Sequence, residues 1–234
     1  MGTLKMRLLV GTLLVGLSAC GPGGPPKITK DLPTAAKDGD LGQIRAHIYW
    51  KADLNRKNVN GDNATPLFLA TQWGHTDAAL LLLNAGADPN APSQINGEAC
   101  CIYPLHVVKS FDLARALIAH GESVTVADGD GVTPVEMAIW PVGNLDIVKL
   151  EVAHGANVNP PLRSGALAPI LSVALDPHPD TALVHYLLAH GVSPNVQTGT
   201  GWTLLNVARD AEGRGRAPGL TALVQSYLTN QPGR

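Results

Sequence analysis

Residues 65–91 read TPLFLATQWGHTDAALLLLNAGADPNA, and this stretch decides the fold. A first helix is predicted to begin at Pro66, because a fixed φ and a missing N–H are tolerated at the first helical position. Apolar residues recur at helical spacing over residues 67–71 and again over 79–83. Gly74 allows the chain to reverse, and Gly86 ends the second helix where a left-handed residue is needed. The stretch therefore predicts a helix-turn-helix unit followed by a polar segment.

The same unit recurs along the chain. Its terminating glycine appears in LLLNAGADPN, ALIAHGESVT, LEVAHGANVN and YLLAHGVSPN, at steps of 35, 34 and 36 residues: Gly86, Gly121, Gly155 and Gly191. Its opening proline recurs at steps of 38, 30 and 35 residues: Pro66, Pro104, Pro134 and Pro169. A near-constant step of this length predicts a solenoid, in which each unit buries its apolar face against its neighbours.

Residues 65–91 resemble the ankyrin repeat over their whole length. Residues 103–121, 133–155 and 168–191 are further copies that keep the two-helix pattern with a changed turn. A degenerate first unit has Lys51 in place of the glycine, and a last unit has Leu204 in place of the proline, as expected of terminal repeats. The chain is thus identified as an all-α ankyrin-repeat solenoid over residues 31–234. We expect about six helix-turn-helix units with β-hairpin-like fingers, at about 31–59, 60–93, 100–127, 128–160, 161–196 and 197–229.

The resemblance implies a protein partner on a concave face made by the finger tips and the inner, shorter helices. Trp73 and Trp140 fall at the end of the first helix of their units, and Trp202 falls in a finger. Tryptophan is enriched among interface hot spots, so these rings are predicted to bind the partner. The alternative is that each ring packs against its own helix pair. The capping-unit residue Trp50 is expected to be structural. A polar rim of the site is predicted at Asn63, Gln72, Asp130 and Arg163.

The N-terminus predicts a cell compartment. Lys5 and Arg7 precede an apolar run over residues 8–17, which is too short to span a bilayer and is typical of a signal peptide. Residues 17–20, Leu-Ser-Ala-Cys, resemble a bacterial lipobox, which implies that residues 1–19 are removed and that Cys20 is lipidated. An ordinary signal peptide with an incidental cysteine is the alternative. Residues 20–30 are rich in proline and glycine and are predicted to be a tether. Because Gly21 is not an aspartate, the resemblance implies a periplasm-facing lipoprotein of the outer membrane.

Two cysteines remain if Cys20 carries lipid. Cys100 and Cys101 are adjacent in a finger that is about five residues longer than a regular one. In an oxidising compartment they are predicted either to form a vicinal disulfide or to be small buried thiols.

Other site chemistry is not indicated. Three histidines precede the terminating glycines, but stacked helices lie about 8–10 Å apart, too far for one metal with ligand distances of about 2 Å. Acidic residues are expected at fingers and helix starts, as caps. Known catalytic and phosphate-binding motifs are missing, and no basic stripe suggests nucleic acid. The inserted residues 213–219 contain Arg214 and Arg216, which form either an anion-facing loop or a solvated turn. We therefore expect a monomer with no enzymatic activity, cofactor, metal or small-molecule substrate.

Two classes of function follow from the sequence. The first is an envelope-anchored protein that binds a protein partner, as an inhibitor, an adaptor, or an immunity protein against a toxin delivered to the periplasm. The second is a structural or stress-protective envelope lipoprotein without a single dedicated partner, and the resemblance to bacterial ankyrin lipoproteins implies a role in oxidant defence for this class.

Overall fold

The computed structural model describes residues 25–58, 63–94, 101–140, 143–159 and 168–230. A 3₁₀ turn spans Pro104–His106 and lies between the fourth and the fifth helix. The helices are α1 (Leu32–Lys37), α2 (Leu41–Tyr49), α3 (Pro66–Gln72), α4 (Thr76–Asn84), α5 (Phe111–Ala119), α6 (Pro134–Ile139), α7 (Leu145–Ala153), α8 (Pro169–Leu175), α9 (Thr181–Ala189), α10 (Leu204–Gly213) and α11 (Leu220–Thr229).

The units stack in two rows. The inner row is α1, α3, the 3₁₀ turn, α6, α8 and α10, in which each element contacts the next. Each inner element also packs against the outer helix that follows it, which is α2, α4, α5, α7, α9 or α11. Isolated antiparallel bridges at Ser93–Ile102 and Gln197–Thr203 close two of the fingers. The predicted all-α solenoid of helix-turn-helix units is confirmed.

The predicted boundary residues lie where the sequence places them. Four inner elements begin at the recurring prolines, and α10 begins at Leu204. The four terminating glycines all adopt positive φ, between 86° and 98°. Lys51 adopts φ 51° at the equivalent place in the first unit, which confirms that it replaces a glycine.

The histidines before the terminating glycines cap their own helices. The Nδ1–H groups of His120, His154 and His190 each donate to the carbonyl four residues earlier, at 2.8 Å. The Ala116 and Tyr186 carbonyls also accept the backbone N–H of the same histidine, whereas the His154 backbone N–H donates to Glu151. The His154 imidazole therefore satisfies a carbonyl at the helix C-terminus that this backbone N–H does not reach. Among the residues that the structure describes, no group of three or more His, Cys, Asp or Glu could hold a metal ion.

The third unit departs from the predicted two-helix pattern. Its first helix is reduced to the three-residue turn Pro104–His106, whereas α3 has seven residues. The outer helix starts at Phe111, seven residues after Pro104 (111 − 104), but ten residues separate Pro66 from Thr76 (76 − 66) in the second unit. A deletion of three residues thus removes nearly one helical turn. The short proline step of 30 residues is its signature in the sequence.

The core position four residues before each terminating glycine is occupied by a charged residue type in one unit. Leu82, Leu117 and Leu187 fill it in three units and are fully buried. Glu151 fills it in α7 with 0 % exposure, and neither carboxyl oxygen has a hydrogen-bond partner. Burial raises the pKa of Glu151 from 4.5 to about 8. A carboxyl group with these surroundings is protonated at neutral pH.

A second buried carboxyl lies near Glu151. The Glu122 Oε1 atom accepts a hydrogen bond from the backbone N–H of Leu105 at 2.7 Å. Burial, and then the charge of Glu151, raise the pKa of Glu122 well above its ordinary value, against the effect of that hydrogen bond. The expectation that the acidic residues serve as caps and finger residues was therefore wrong for Glu151, which is a core residue.

The last five residues of the predicted tether are held against α2. The side-chain amide of Gln43 donates to the Lys27 carbonyl at 3.2 Å, and its oxygen accepts from the backbone N–H of Thr29 at 2.8 Å. Trp50 Nε1–H donates to the Pro26 carbonyl at 2.9 Å. The backbone groups of residues 26, 27, 29 and 30 therefore find partners on the first unit. The predicted signal peptide and Cys20 lie outside the described residues.

No helix in the described ranges combines the length and the apolar character that crossing a membrane requires.

Candidate partner-binding surface

Two tryptophans lie at the C-terminal ends of inner helices. Trp73 follows α3 and Trp140 follows α6, each as the C-cap residue. Their side chains are 56 % and 58 % exposed, so neither ring is buried against its own helix pair. We call the surface formed by the ends of α1, α3 and α6 together with residues 107–109 the inner-helix face.

A groove opens on the inner-helix face above the shortened third unit. It has a volume of about 610 Å³ and lies where a longer inner helix would fill the space between α3 and α6. Its lining includes Gln72, Val107, Val108, Lys109, Met137 and Trp140. The structure therefore brings together Gln72 and Trp140, two of the residues predicted to bind the partner.

The 3₁₀ turn beside the groove, which contributes His106 to its lining, is fixed from two sides. The Leu105 N–H donates to Glu122, as described above, and His106 Nε2–H donates to the carbonyl of Val132 in the next unit at 3.1 Å. This second bond links the third unit to the fourth. Burial lowers the pKa of His106, which keeps the imidazole neutral at physiological pH. The 3₁₀ turn is therefore held in place by hydrogen bonds before any partner binds.

Two lysines give the inner-helix face a positive character. Lys109 lines the groove and is exposed. The ammonium of Lys37, at the end of α1, lies 4.9 Å from the centre of the Trp73 ring, a cation–π arrangement. Neither lysine forms an ion pair within the described ranges. Sequence reasoning missed Lys109 and Met137, because their proximity depends on the shortened third unit. It also missed Lys37, whose contact with Trp73 depends on how α1 packs on α3.

The other predicted binding residues lie apart from the groove. Trp202 is 47 % exposed in the last finger, where its backbone closes a turn with Thr198. Asn63 links two fingers through its side-chain amide, which donates to Gln94 Oε1 at 3.0 Å. Asp130 lies in a finger turn, where its N–H donates to Asp128. Arg163 lies outside the described residues. Exposed Trp50, bound to Pro26, has the structural role predicted for it.

One cysteine is oxidised. Cys101 is disulfide-bonded, which removes the buried free thiol as an alternative for this residue. Its backbone adopts φ 84°, an uncommon conformation for a residue other than glycine. Cys100, the predicted partner of Cys101, lies outside the described residues.

The two arginines of the inserted loop share one carboxylate. Arg214 and Arg216 form ion pairs with opposite oxygens of Asp210 at 2.9 and 3.0 Å. Glu212 also fixes this loop, because its carboxylate accepts from the Gly219 N–H at 2.8 Å. Both guanidinium groups are thus compensated within the protein, which favours the turn over the anion-facing loop.

Comparison with known proteins agrees with this architecture. Residues 62–94 match the family model for the ankyrin repeat. The solved ankyrin repeat domain ABAYE2397 of Acinetobacter baumannii AYE superposes with a TM-score of 0.67 at 24% identity, over 84% of this chain and 96% of that one. The fold is that of an ankyrin-repeat domain. Ankyrin-repeat domains bind proteins and are in general not enzymes.

A second solved neighbour comes from a complex. One chain of the solved complex of the Bdellovibrio bacteriovorus predatory endopeptidase Bd0816 with immunity protein Bd3460 matches with a TM-score of 0.64 and 23% identity. The match covers 86% of this chain and 99% of that chain. At this identity the likeness concerns the fold alone.

Curated relatives share the repeats at low identity. An Escherichia coli protein described as ankyrin repeat protein YahD is 28% identical over 194 residues, which are 77% of this chain and 91% of the relative. Fowlpox virus ankyrin repeat protein FPV031 is 29% identical over 131 residues, or 55% of this chain, and a Danio rerio protein described as palmitoyltransferase ZDHHC13 is 28% identical over 178 residues, or 69%. The matches span only 37% and 27% of these two longer relatives. The likeness to the palmitoyltransferase thus concerns only part of that protein.

Proposed function

We propose that this protein is a non-enzymatic binding protein of the bacterial envelope, which holds one dedicated protein partner on its inner-helix face. The exposure of Trp73 and Trp140 at the ends of neighbouring inner helices carries the proposal. Two large apolar rings left in water are costly for a monomer, whereas tryptophan at an interface centre often contributes most of the binding energy.

Within the complex, we propose that the protein acts as an inhibitor, such as an immunity protein, or as an adaptor that connects envelope proteins. One similar chain comes from a complex of an endopeptidase with an immunity protein, which supports the first of these roles. The envelope placement rests on the sequence of residues 1–20, which resembles a lipoprotein signal with its acylated cysteine.

A capture experiment tests the binding proposal. The full chain, tagged at its C-terminus and expressed in the source cell, is cross-linked and purified from the membrane fraction beside a Trp73→Ala, Trp140→Ala double variant. The matched control is Phe111→Ala, which removes an exposed aromatic ring at the start of α5, an outer helix. We expect one protein in stoichiometric yield with the wild type and with the control, and its loss with the double variant after circular dichroism shows native helix content. Equal capture by all three chains, or no captured protein, would favour the structural or stress-protective alternative.

Labelling with a radioactive fatty acid tests the anchor separately. The wild type is expected to incorporate label and to sediment with membranes, and Cys20→Ala is expected to do neither. Label in the Cys20→Ala chain would remove the lipobox interpretation without affecting the binding proposal.

A further inference from the structure

We infer that the groove between α3 and α6 receives a partner segment that carries an apolar side chain next to a carboxylate. This inference rests on the proposed function, because it names the chemistry of the partner on the same face. It concerns the missing helical turn of the third unit.

The shape of the groove sets the size of the occupant. A volume of about 610 Å³ falls within the range of about 300–1,000 Å³ typical of pockets that enclose small ligands. That space admits a few side chains of an inserted segment and excludes a folded domain. The inserted segment would take the place that the missing turn leaves empty beside α3 and α6.

The walls of the groove select an apolar group. Val107 and Val108 lie along its base, and Met137 and the exposed ring of Trp140 lie on the α6 side. A methionine side chain adapts its shape to an apolar partner. A tryptophan ring often anchors such a partner at an interface. Covering the Trp140 ring would bury apolar area at about 25 cal/mol per Å², so a segment with a leucine, methionine or aromatic residue is favoured.

The charge of the groove selects a carboxylate. Lys109 belongs to the lining, which contains no aspartate or glutamate among its described residues. Lys37, which makes the cation–π contact with Trp73, is a second positively charged side chain on the inner-helix face. A partner that covers Lys109 removes water from the ammonium, and a buried charge without a counter-ion is strongly unfavourable. A carboxylate on the partner supplies that counter-ion, whereas a lysine or arginine there would be repelled.

A selection from random peptides tests this chemistry directly. The probe is a phage-displayed library of random 12-residue peptides, panned on the full chain held through a C-terminal tag, with clones that also bind Trp140→Ala removed. We expect enriched peptides in which an aspartate or glutamate lies beside a leucine, methionine or aromatic residue. Fluorescence anisotropy of the best peptide should give an affinity that falls with added salt, because the contact with Lys109 is ionic.

Three variants test the assignment of the peptide to the groove. Lys109→Glu is expected to weaken binding of the selected peptide at least tenfold. Lys149→Glu, the same charge reversal on the exposed side of α7, is the matched control and is expected to leave the affinity within twofold. Inserting three alanines between Val108 and Lys109 restores the missing residues of the inner helix and is expected to abolish binding. Native circular dichroism and unchanged melting of Lys109→Glu separate a lost contact from a lost fold.

Three results would overturn the inference. They are an absence of enriched peptides, enrichment of basic peptides, or an acidic peptide whose affinity is the same for wild type and Lys109→Glu. The capture experiment tests the proposed function separately from the groove chemistry. If a captured protein is lost by the double tryptophan variant but kept by Lys109→Glu, the inner-helix face binds that partner and the groove chemistry is wrong.

Discussion

Replacing Glu151 by leucine is expected to stabilise this protein and to remove much of the pH dependence of its stability. Glu151 is fully buried without a hydrogen-bond partner at a position where other units have leucine. Leucine at this position is known to fit, because Leu82, Leu117 and Leu187 occupy it with full burial. The substitution therefore replaces an unsatisfied polar group by one that the repeat accommodates elsewhere.

The magnitude follows from the displaced pKa. The pKa of Glu151 is about 8 in the folded chain and 4.5 in the reference state of an unfolded one. Between these two values the folded chain binds more protons than the unfolded chain, so the free energy of unfolding falls as pH rises through this window. At about 1.36 kcal/mol for each unit of pKa, this carboxyl costs about 3 kcal/mol of stability at pH 7 and about 1 kcal/mol at pH 5.

Thermal unfolding followed by circular dichroism measures the effect. At pH 7 a gain of about 3 kcal/mol corresponds to a rise in Tm of about 6–12 °C for a chain of this size. The wild type should lose about 2 kcal/mol between pH 5 and pH 7 relative to Glu151→Leu. A slope of the same sign remains in the variant, because burial also raises the pKa of Glu122.

Two controls separate ionisation from packing and from net charge. Glu151→Gln cannot ionise but keeps a buried polar group, so it should lose the part of the pH slope that comes from Glu151 and gain less stability than leucine gives. Asp146→Asn removes an exposed negative charge from the first turn of the same helix, and it should change stability by less than about 1 kcal/mol. The reasoning is refuted if Glu151→Leu is no more stable than the wild type at pH 7. It is also refuted if both chains lose the same stability between pH 5 and pH 8.

Three further changes have defined outcomes. Lys51→Gly should raise the free energy of unfolding by about 1 kcal/mol in urea titration, because the left-handed backbone strains a side chain there; a loss would show that the lysine makes a contact of its own. Trp50→Phe should speed hydrogen exchange in residues 26–30, because it removes the indole donor to the Pro26 carbonyl. Unchanged exchange would show that this bond does not hold the segment against the first unit. His154→Ala should lower Tm through the lost bond to the Leu150 carbonyl, by about 1 kcal/mol of stability, and an unchanged Tm would argue against a capping role.

The fold was predictable because the repeat is specified locally. Proline at a helix start and glycine in a left-handed turn each follow from backbone sterics, and both recur at one spacing. The same logic identified Lys51 as a substituted glycine before its φ was known. Repetition multiplies these local signals, so the stack of units follows from the sequence even where one unit is degenerate.

The candidate site was only partly predictable. Trp73 and Trp140 were placed correctly at helix ends, but their exposure depends on how neighbouring units pack. The groove arises from three missing residues. The proline step of 30 residues reflects this deletion, but the sequence analysis expected the two-helix pattern to persist in the third unit. Glu151 was missed because acidic residues were assigned to caps by type, although alignment of the four repeated segments puts it in the leucine column.

The departures from the repeat pattern occur in places that folding alone does not explain. Terminal units of a solenoid are expected to be atypical, because one flank faces water. Here the missing turn and the buried carboxyl lie in the third and fourth units, in the interior of the stack. Glu122 connects them, since it is close enough to Glu151 for the charges to interact and it accepts a hydrogen bond from Leu105 in the shortened 3₁₀ turn. Sequences tend to break their local rules at functional or strained sites, so clustered departures beside the groove favour an interior binding site over incidental divergence.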